Sequence, residues 1–169
     1  MPNFYGTVSG FQEYNLARGR SISELWYDAY IQAALVVASE WLDNAYDKIW
    51  FGYAVGGYTQ ERKWPRASAM TTSTPVYVFR EDETPEAVLQ ATYEAAFREA
   101  TKPGCLLLAF TPQKYKSASI SGAIDVEYVV PNDASEIQTQ MPIIGLLMEP
   151  LIDPRRGSTG GYSGTLGRA

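Results

Sequence analysis

The chain has 169 residues, 46 % of them hydrophobic and 20 % charged, which suits one domain with a real core. A net charge of −5 argues against an overall basic grip on nucleic acid. The absence of histidine and the single cysteine, Cys105, remove the commonest general base, the commonest metal ligand and any internal disulfide.

The N-terminal segment MPNFYGTVSG has no basic-then-apolar leader pattern, and no apolar run approaches bilayer-spanning length, so a chain made in the cytoplasm, with no membrane role, is expected. A short helical turn carrying Phe11, Tyr14 and Leu16 precedes a stop at Gly19. Ser21 and Glu24 then form a capping-box pattern that predicts a helix over 22–46. Its apolar residues fall in two neighbouring lines, Tyr30-Ala34-Val37-Trp41 and Leu35-Ala38-Leu42-Tyr46, with Ala33, Ala34 and Ala38 allowing close packing. Residues 47–74 read as an ordered loop, because Ile49, Trp50, Phe51, Tyr53 and Trp64 are too apolar to be left in water. Within it Pro65 keeps Trp64 off helical backbone angles.

The run PVYVF is β-prone. Thr84 as N-cap and Pro85 at the first helical position predict a helix over 85–101, ended by Pro103-Gly104. Between 106 and 130 the period changes to two, with Ile120, Ile124, Val126, Tyr128 and Val130 alternating with polar residues, which predicts a half-buried strand with a hairpin partner before it. Residues 142–152 read as a short helix burying Ile143, Ile144, Leu146, Leu147 and Leu151. The expected fold is mainly α: a small helical bundle over residues 1–153 with a β-ribbon or loop extension. Residues 154–169 form a Gly-rich C-terminal arm. They hold Arg155, Arg156 and Arg168 and no acidic residue, and a flexible basic arm that orders on an acidic partner would use Tyr162 and Leu166 as anchors.

Enzyme chemistry finds no support. The stretch AVGGYTQ lacks the lysine and spacing of a phosphate-binding loop. The carboxylate pairs, Asp43 with Asp47 and the run Glu81-Asp82-Glu83, read as solvated faces or helix-start charges. No catalytic residue, metal site or cofactor is expected, and a binding or structural role is the default.

The order of motifs resembles the tailed-phage head–tail adaptor (connector or neck) proteins, a family also described as DnaT-like single-stranded-DNA-binding proteins. The likeness runs from Tyr14 to Leu151. It comprises Tyr14-x-x-x-Arg18-Gly19; Ala34, Leu35, Ala38, Ser39, Trp41, Leu42, Asp43 and Tyr46; Trp64-Pro65-Arg66; Pro85, Val88, Ala91, Thr92 and Ala95; Val126–Tyr128; and Leu146, Leu147, Pro150 and Leu151. The resemblance implies a virion protein forming a ring, commonly of twelve copies, under the portal. Double-stranded genomic DNA would pass through its lumen without specific binding, and a tail or neck protein would attach beneath. It also implies that the C-terminal arm, from Pro154, Arg155, Arg156 and Gly157 through Tyr162, Leu166 and Arg168, reaches into portal crevices. An acidic body suits such a conduit, since carboxylates repel phosphates. The alternative is a single-stranded-DNA binder, which needs a basic groove with stacking aromatics.

Trp41, Leu42, Asp43, Tyr46, Trp64, Pro65 and Arg66 read as a fold signature. Trp64 would fill the bundle, Pro65 set the chain's exit, and Arg66 lie over a carboxylate or a helix C-terminus. Direct contact of the triplet with a partner is the other possibility.

Overall fold

A computed structural model describes residues 4–23, 26–106, 118–120, 124–126 and 141–157. The architecture is mainly α with a small β part. Helices α1 (Val8–Leu16), α2 (Asp28–Tyr46), α3 (Glu86–Thr101) and α4 (Pro142–Met148) alternate with two ribbons, β1 (Tyr53–Ala54) with β2 (Arg66–Ala67), and β3 (Ala118–Ile120) with β4 (Ile124–Val126). A four-residue helix, α5 (Pro154–Gly157), follows.

Helix α3 is the centre: α1, α2 and α4 all pack on it. Ala91, Ala95 and Ala96 on α3 and Ala34 and Ala38 on α2 are buried, so the two backbones meet over short side chains. Around them Phe11, Ile31, Leu35, Leu42, Val88, Ile144 and Met148 are wholly enclosed. At roughly 1.5–3 kcal/mol per buried large aliphatic or aromatic side chain, this cluster supplies the main driving force for folding.

Helix α1 is capped by Thr7, whose hydroxyl accepts from the Gly10 amide at 2.9 Å. Phe11 and Tyr14 face the core, but Leu16 is exposed. Gly6 has a φ of +82°, and a Cβ there would collide with the Tyr93 ring, so only glycine fits.

The helix expected over 22–46 begins at Asp28, with Tyr27 as its N-cap. Ser21 therefore does not cap it, and Glu24 lies outside the described residues. A tertiary contact overrides the local capping signal: Trp26 packs edge-on against Phe97 of α3 at 5.6 Å, and Tyr30 donates its hydroxyl to the Ala100 carbonyl at 2.9 Å. The buried face of α2 is Ile31-Ala34-Leu35-Ala38-Ser39-Leu42-Asp43. Tyr30, Val37, Trp41 and Tyr46 flank it half-buried, and Ala33 is exposed.

Helix α3 starts one residue later than expected, with Pro85 itself at the N-cap and Glu86 in the first turn. After α3, Glu99 receives the turned chain: its carboxylate accepts from the amides of Gly104 (2.5 Å) and Leu106 (3.1 Å). The period-two stretch is not one strand. Ala118 pairs with Val126, Ser119 with Asp125 and Ile120 with Ile124, so the chain reverses between 120 and 124. Period-two alternation runs through both strands and hides the reversal. Tyr128 and Val130 lie outside the described residues. At the other end of the predicted 106–130 region, Leu106 belongs to the turn after α3.

Helix α4 is shorter than 142–152. It ends at Met148 and tightens into a 3-10 turn at Glu149–Leu151 around Pro150. Ile144, Met148 and Leu151 are buried, whereas Ile143 and Leu146 face outward. Among the described residues, no helix is long and apolar enough to cross a membrane.

Candidate functional site

Trp64, Pro65 and Arg66 stand at the root of a short stem that ties the end of α2 to two outward loops. Trp64 is buried, its ring set edge-on to Trp50 (5.8 Å) and to Phe79 (5.8 Å). Trp50 stacks in turn on Tyr46 (6.0 Å), and Tyr46 meets Trp41 edge-on (6.4 Å). The three signature aromatics, Trp41, Tyr46 and Trp64, thus form one continuous column with Trp50 and Phe79. The indole N–H groups of Trp50 and Trp64 are buried with no acceptor among the described residues. Aromatic packing outweighs those two unmade hydrogen bonds, each costing about 1–3 kcal/mol.

Apart from the Trp64 indole, the triplet's polar groups make specific bonds. The Trp64 amide donates to the Tyr5 hydroxyl at 3.0 Å, and that hydroxyl donates to Asp43 at 2.5 Å. The Tyr5 amide donates to Ser39 Oγ at 2.9 Å, which donates to the Leu35 carbonyl at 2.7 Å. Burial, then the Asp43 carboxylate, hold the Tyr5 proton far above the usual phenol range. Burial also raises the Asp43 pKa, against the lowering pull of Tyr5 and Arg62. Asp43 is therefore not on a solvated face. It is buried, whereas Asp47, one turn on, is half-exposed and pairs with Lys63 and Arg66.

Arg66 is almost wholly buried. Its Nε donates to the Phe51 carbonyl (2.8 Å), its Nη2 to the Gly52 carbonyl (2.9 Å) and its Nη1 to Asp47 (2.9 Å). The guanidinium lies 5.7 Å from the centre of the Trp50 ring. It gathers the chain leaving α2 and clips it to β2. Gly52 has a φ of +71°, and a Cβ there would strike the Ala67 carbonyl oxygen.

The C-terminal segment closes the same stem. Trp50 and Ile152 form an antiparallel bridge, the Asp153 amide donates to the Ile49 carbonyl (2.8 Å), and Arg156 donates to the carbonyls of Trp50 (3.1 Å) and Gly52 (3.3 Å). The body therefore does not end at residue 153: the first residues of the expected arm, Pro154 to Gly157, form α5, and Arg156 is fastened to the Trp-Pro-Arg stem. Pro154 and Arg155 are exposed. Tyr162, Leu166 and Arg168 lie outside the described residues.

A second polar knot explains Tyr14-x-x-x-Arg18-Gly19. Buried Glu94 on α3 accepts from the Tyr14 hydroxyl (3.0 Å) and from Arg20 through both oxygens (3.0 and 2.9 Å), with Arg18 at 3.6 Å. Burial and this carboxylate push the Tyr14 hydroxyl up to about 12. Gly19 turns at a φ of +67°, bringing the two arginines back over Glu94.

Beside the stem, a cleft of about 360 Å³ is lined by Glu40, Asp43, Asn44, Glu61, Arg62 and Lys63. Its cations are engaged at home: Arg62 reaches Glu40 and Asp43 (both 3.5 Å), and Lys63 reaches Asp47 (3.7 Å). Among the described residues, no group of three or more His, Cys, Asp or Glu side chains could hold a metal ion. Sequence reasoning had no sign of Tyr5 or Glu94, whose partners lie 34 to 80 positions away in the network that joins the N-terminus to α2 and α3.

A family model described as "Putative DnaT-like ssDNA binding protein" matches residues 2–169. The chain belongs to that family. In this DnaT-like chain the matched region takes in the stem, both polar knots and the C-terminal segment. No curated protein and no solved structure matches it.

Proposed function

We propose that this chain is a non-catalytic structural protein of the virion, a head–tail adaptor. Copies of it would form a ring, of twelve by resemblance, under the portal. The ring extends the DNA channel and offers the attachment site for a tail or neck protein.

The observation that carries this reading is the direction in which the adhesive groups face. Arg18, Arg20, Arg62, Lys63, Arg66, Arg80 and Arg156 each lie within ion-pair distance of a carboxylate of the same chain. The rings of Trp41, Tyr46, Trp50, Trp64 and Phe79 pack on one another. A single-strand grip needs both kinds of group displayed along one groove. Tyr53, Tyr58 and Tyr77 are exposed, but on loop segments that carry no Lys or Arg, in a chain of net charge −5. That pattern favours protein contacts and a lumen over which duplex DNA slides. With Arg156 engaged by the body, the portal-binding part of the arm is assigned to Tyr162, Leu166 and Arg168.

The single-stranded-DNA reading has one support, the family's description. Fluorescence anisotropy separates the two. With a labelled oligonucleotide of about 16 nucleotides, the upper site size of a single-strand binding fold, the adaptor reading expects no salt-sensitive binding at physiological ionic strength. Tight binding that weakens steeply with salt overturns it.

A further inference from the structure

We infer that two uncharged loop segments on the Trp-Pro-Arg stem, residues 53–60 and 70–79, are the two halves of a head-to-tail contact between copies of this chain. The inference deepens the adaptor reading and rests on it for its biological role.

The stem is the continuous segment from Arg66 to Thr71. Its first half pairs with β1, Tyr53 opposite Ala67 and Ala54 opposite Arg66. Its second half pairs with residues 77–79: Met70 bridges Val78, the Thr71 amide donates to the Tyr77 carbonyl (2.9 Å), and the Phe79 amide donates to the Ala69 carbonyl (2.9 Å). Both pairings are antiparallel. The first loop therefore turns beyond the N-terminal end of the stem and the second beyond its C-terminal end.

The connection from β1 to β2 is charged only at Glu61, Arg62 and Lys63, which line the cleft beside the stem, and the rest of both loops carries no charge. Residues 53–60 and 70–79 contain no Asp, Glu, Lys or Arg, in a chain where one residue in five is charged. Each exposes large apolar groups: Tyr53, Val55 and a fully exposed Tyr58 on the first, Val76, Tyr77 and Val78 on the second. Each is also braced. In the first, Gln60 accepts from the Gly56 amide (2.7 Å) and donates to the carbonyls of Arg62 (2.7 Å) and Pro65 (3.0 Å). In the second, the Thr72 amide donates to the Pro150 carbonyl (2.8 Å) and the Tyr77 amide to Thr71 Oγ1 (2.9 Å). Preorganised aromatic anchors lose little entropy on binding. The second loop has a further feature. Because Tyr77 and Phe79 bond inward, the N–H and C=O of Val78 point away from the stem as an open strand edge.

Charge selects the occupant. Copies of net charge −5 repel one another, so they meet most favourably where both surfaces are uncharged. Two different uncharged patches leaving opposite ends of one stem give a heterologous contact, the type that closes into rings.

The test uses the full chain and two variants, Tyr58→Asp on the first loop and Val78→Asp on the second, by sedimentation at concentrations up to about 1 mM. That is the order of effective concentration that neighbouring sites on a scaffold impose. Wild type is expected to self-associate, and each variant alone to stay monomeric with an unchanged melting temperature. An equimolar mixture of the two is expected to stop at a 1:1 dimer, because one intact loop of each kind remains. Wild type that stays monomeric, variants that associate as wild type does, or a mixture that stays monomeric each overturn the inference. Portal capture by wild type, measured separately with purified portal protein, reports on the adaptor reading. Head-to-tail association without portal capture keeps the contact and removes the adaptor role, and portal capture with unaltered variant association does the reverse.

Discussion

The Tyr5 hydroxyl stands between two groups far away in the chain, accepting from the Trp64 amide at 3.0 Å and donating to the Asp43 carboxylate at 2.5 Å. One side chain thereby ties the N-terminal segment, helix α2 and the Trp-Pro-Arg stem together. Tyr5→Phe keeps the ring and removes both bonds, leaving a buried amide and a buried carboxylate short of a partner. A loss of about 1–3 kcal/mol in urea unfolding is expected. An unchanged midpoint would show that the relay contributes nothing net.

Trp64→Ala empties the middle of the aromatic column and is expected to cost about 3–5 kcal/mol. Trp64→Phe should cost clearly less, because it keeps most of the ring contact and also removes an indole N–H that has no acceptor among the described residues. Thermal melts of the two variants compare them directly. Equal losses would mean that the indole makes a polar contact beyond the column.

Arg66→Lys retains the charge but not the fork that reaches the Phe51 and Gly52 carbonyls and Asp47 together. Asp47 is over a third exposed, so most of the effect comes from the two carbonyls. A loss of about 2 kcal/mol is expected, with faster amide exchange in residues 51–54 and 66–71. Exchange unchanged in those segments would show that the stem is held by something other than Arg66.

Alkaline pH tests both polar knots. Tyr5 and Tyr14 have folded pKa values above the ordinary 10.0, Tyr14 at about 12. Above about pH 10 the unfolded chain loses protons that the folded chain keeps, so the folded state binds more protons and stability falls as pH rises. The contribution is complete below about pH 10 and, for Tyr14, is lost between about 10 and 12. Tyr14→Phe should flatten the decline in that window, and Tyr5→Phe should flatten it further. Urea midpoints across the window measure this. A double variant with the wild-type slope would contradict the assignment.

Helix α3 and the buried stripe of α2 were legible because their signals are local: alanines and leucines at helical spacing, and a proline at the helix start. The start of α2 was not, because docking of Trp26 on Phe97 competes with the Ser21–Glu24 pattern and lies outside any local window. Asp43 and Asp47 look identical in sequence, two acids one turn apart. Only the return of Tyr5 and of Arg66 from distant positions separates a buried acceptor from a half-exposed ion-pair partner. The Trp-Pro-Arg triplet was legible as a packing device. Its role as root of two outward loops depends on strand register, which the short β1 and β2 segments do not advertise. The outward faces of Ile143 and Leu146 show the same limit in a short helix, where an all-apolar run does not say which side meets the core.

Electron microscopy of the full chain mixed with the portal protein of the same genome tests the adaptor role most directly. The account predicts an added ring of this chain on one face of the portal, lost when residues 158–169 are removed and absent for Val78→Asp. A bare portal ring beside a free chain that binds single-stranded oligonucleotide at physiological ionic strength would contradict it.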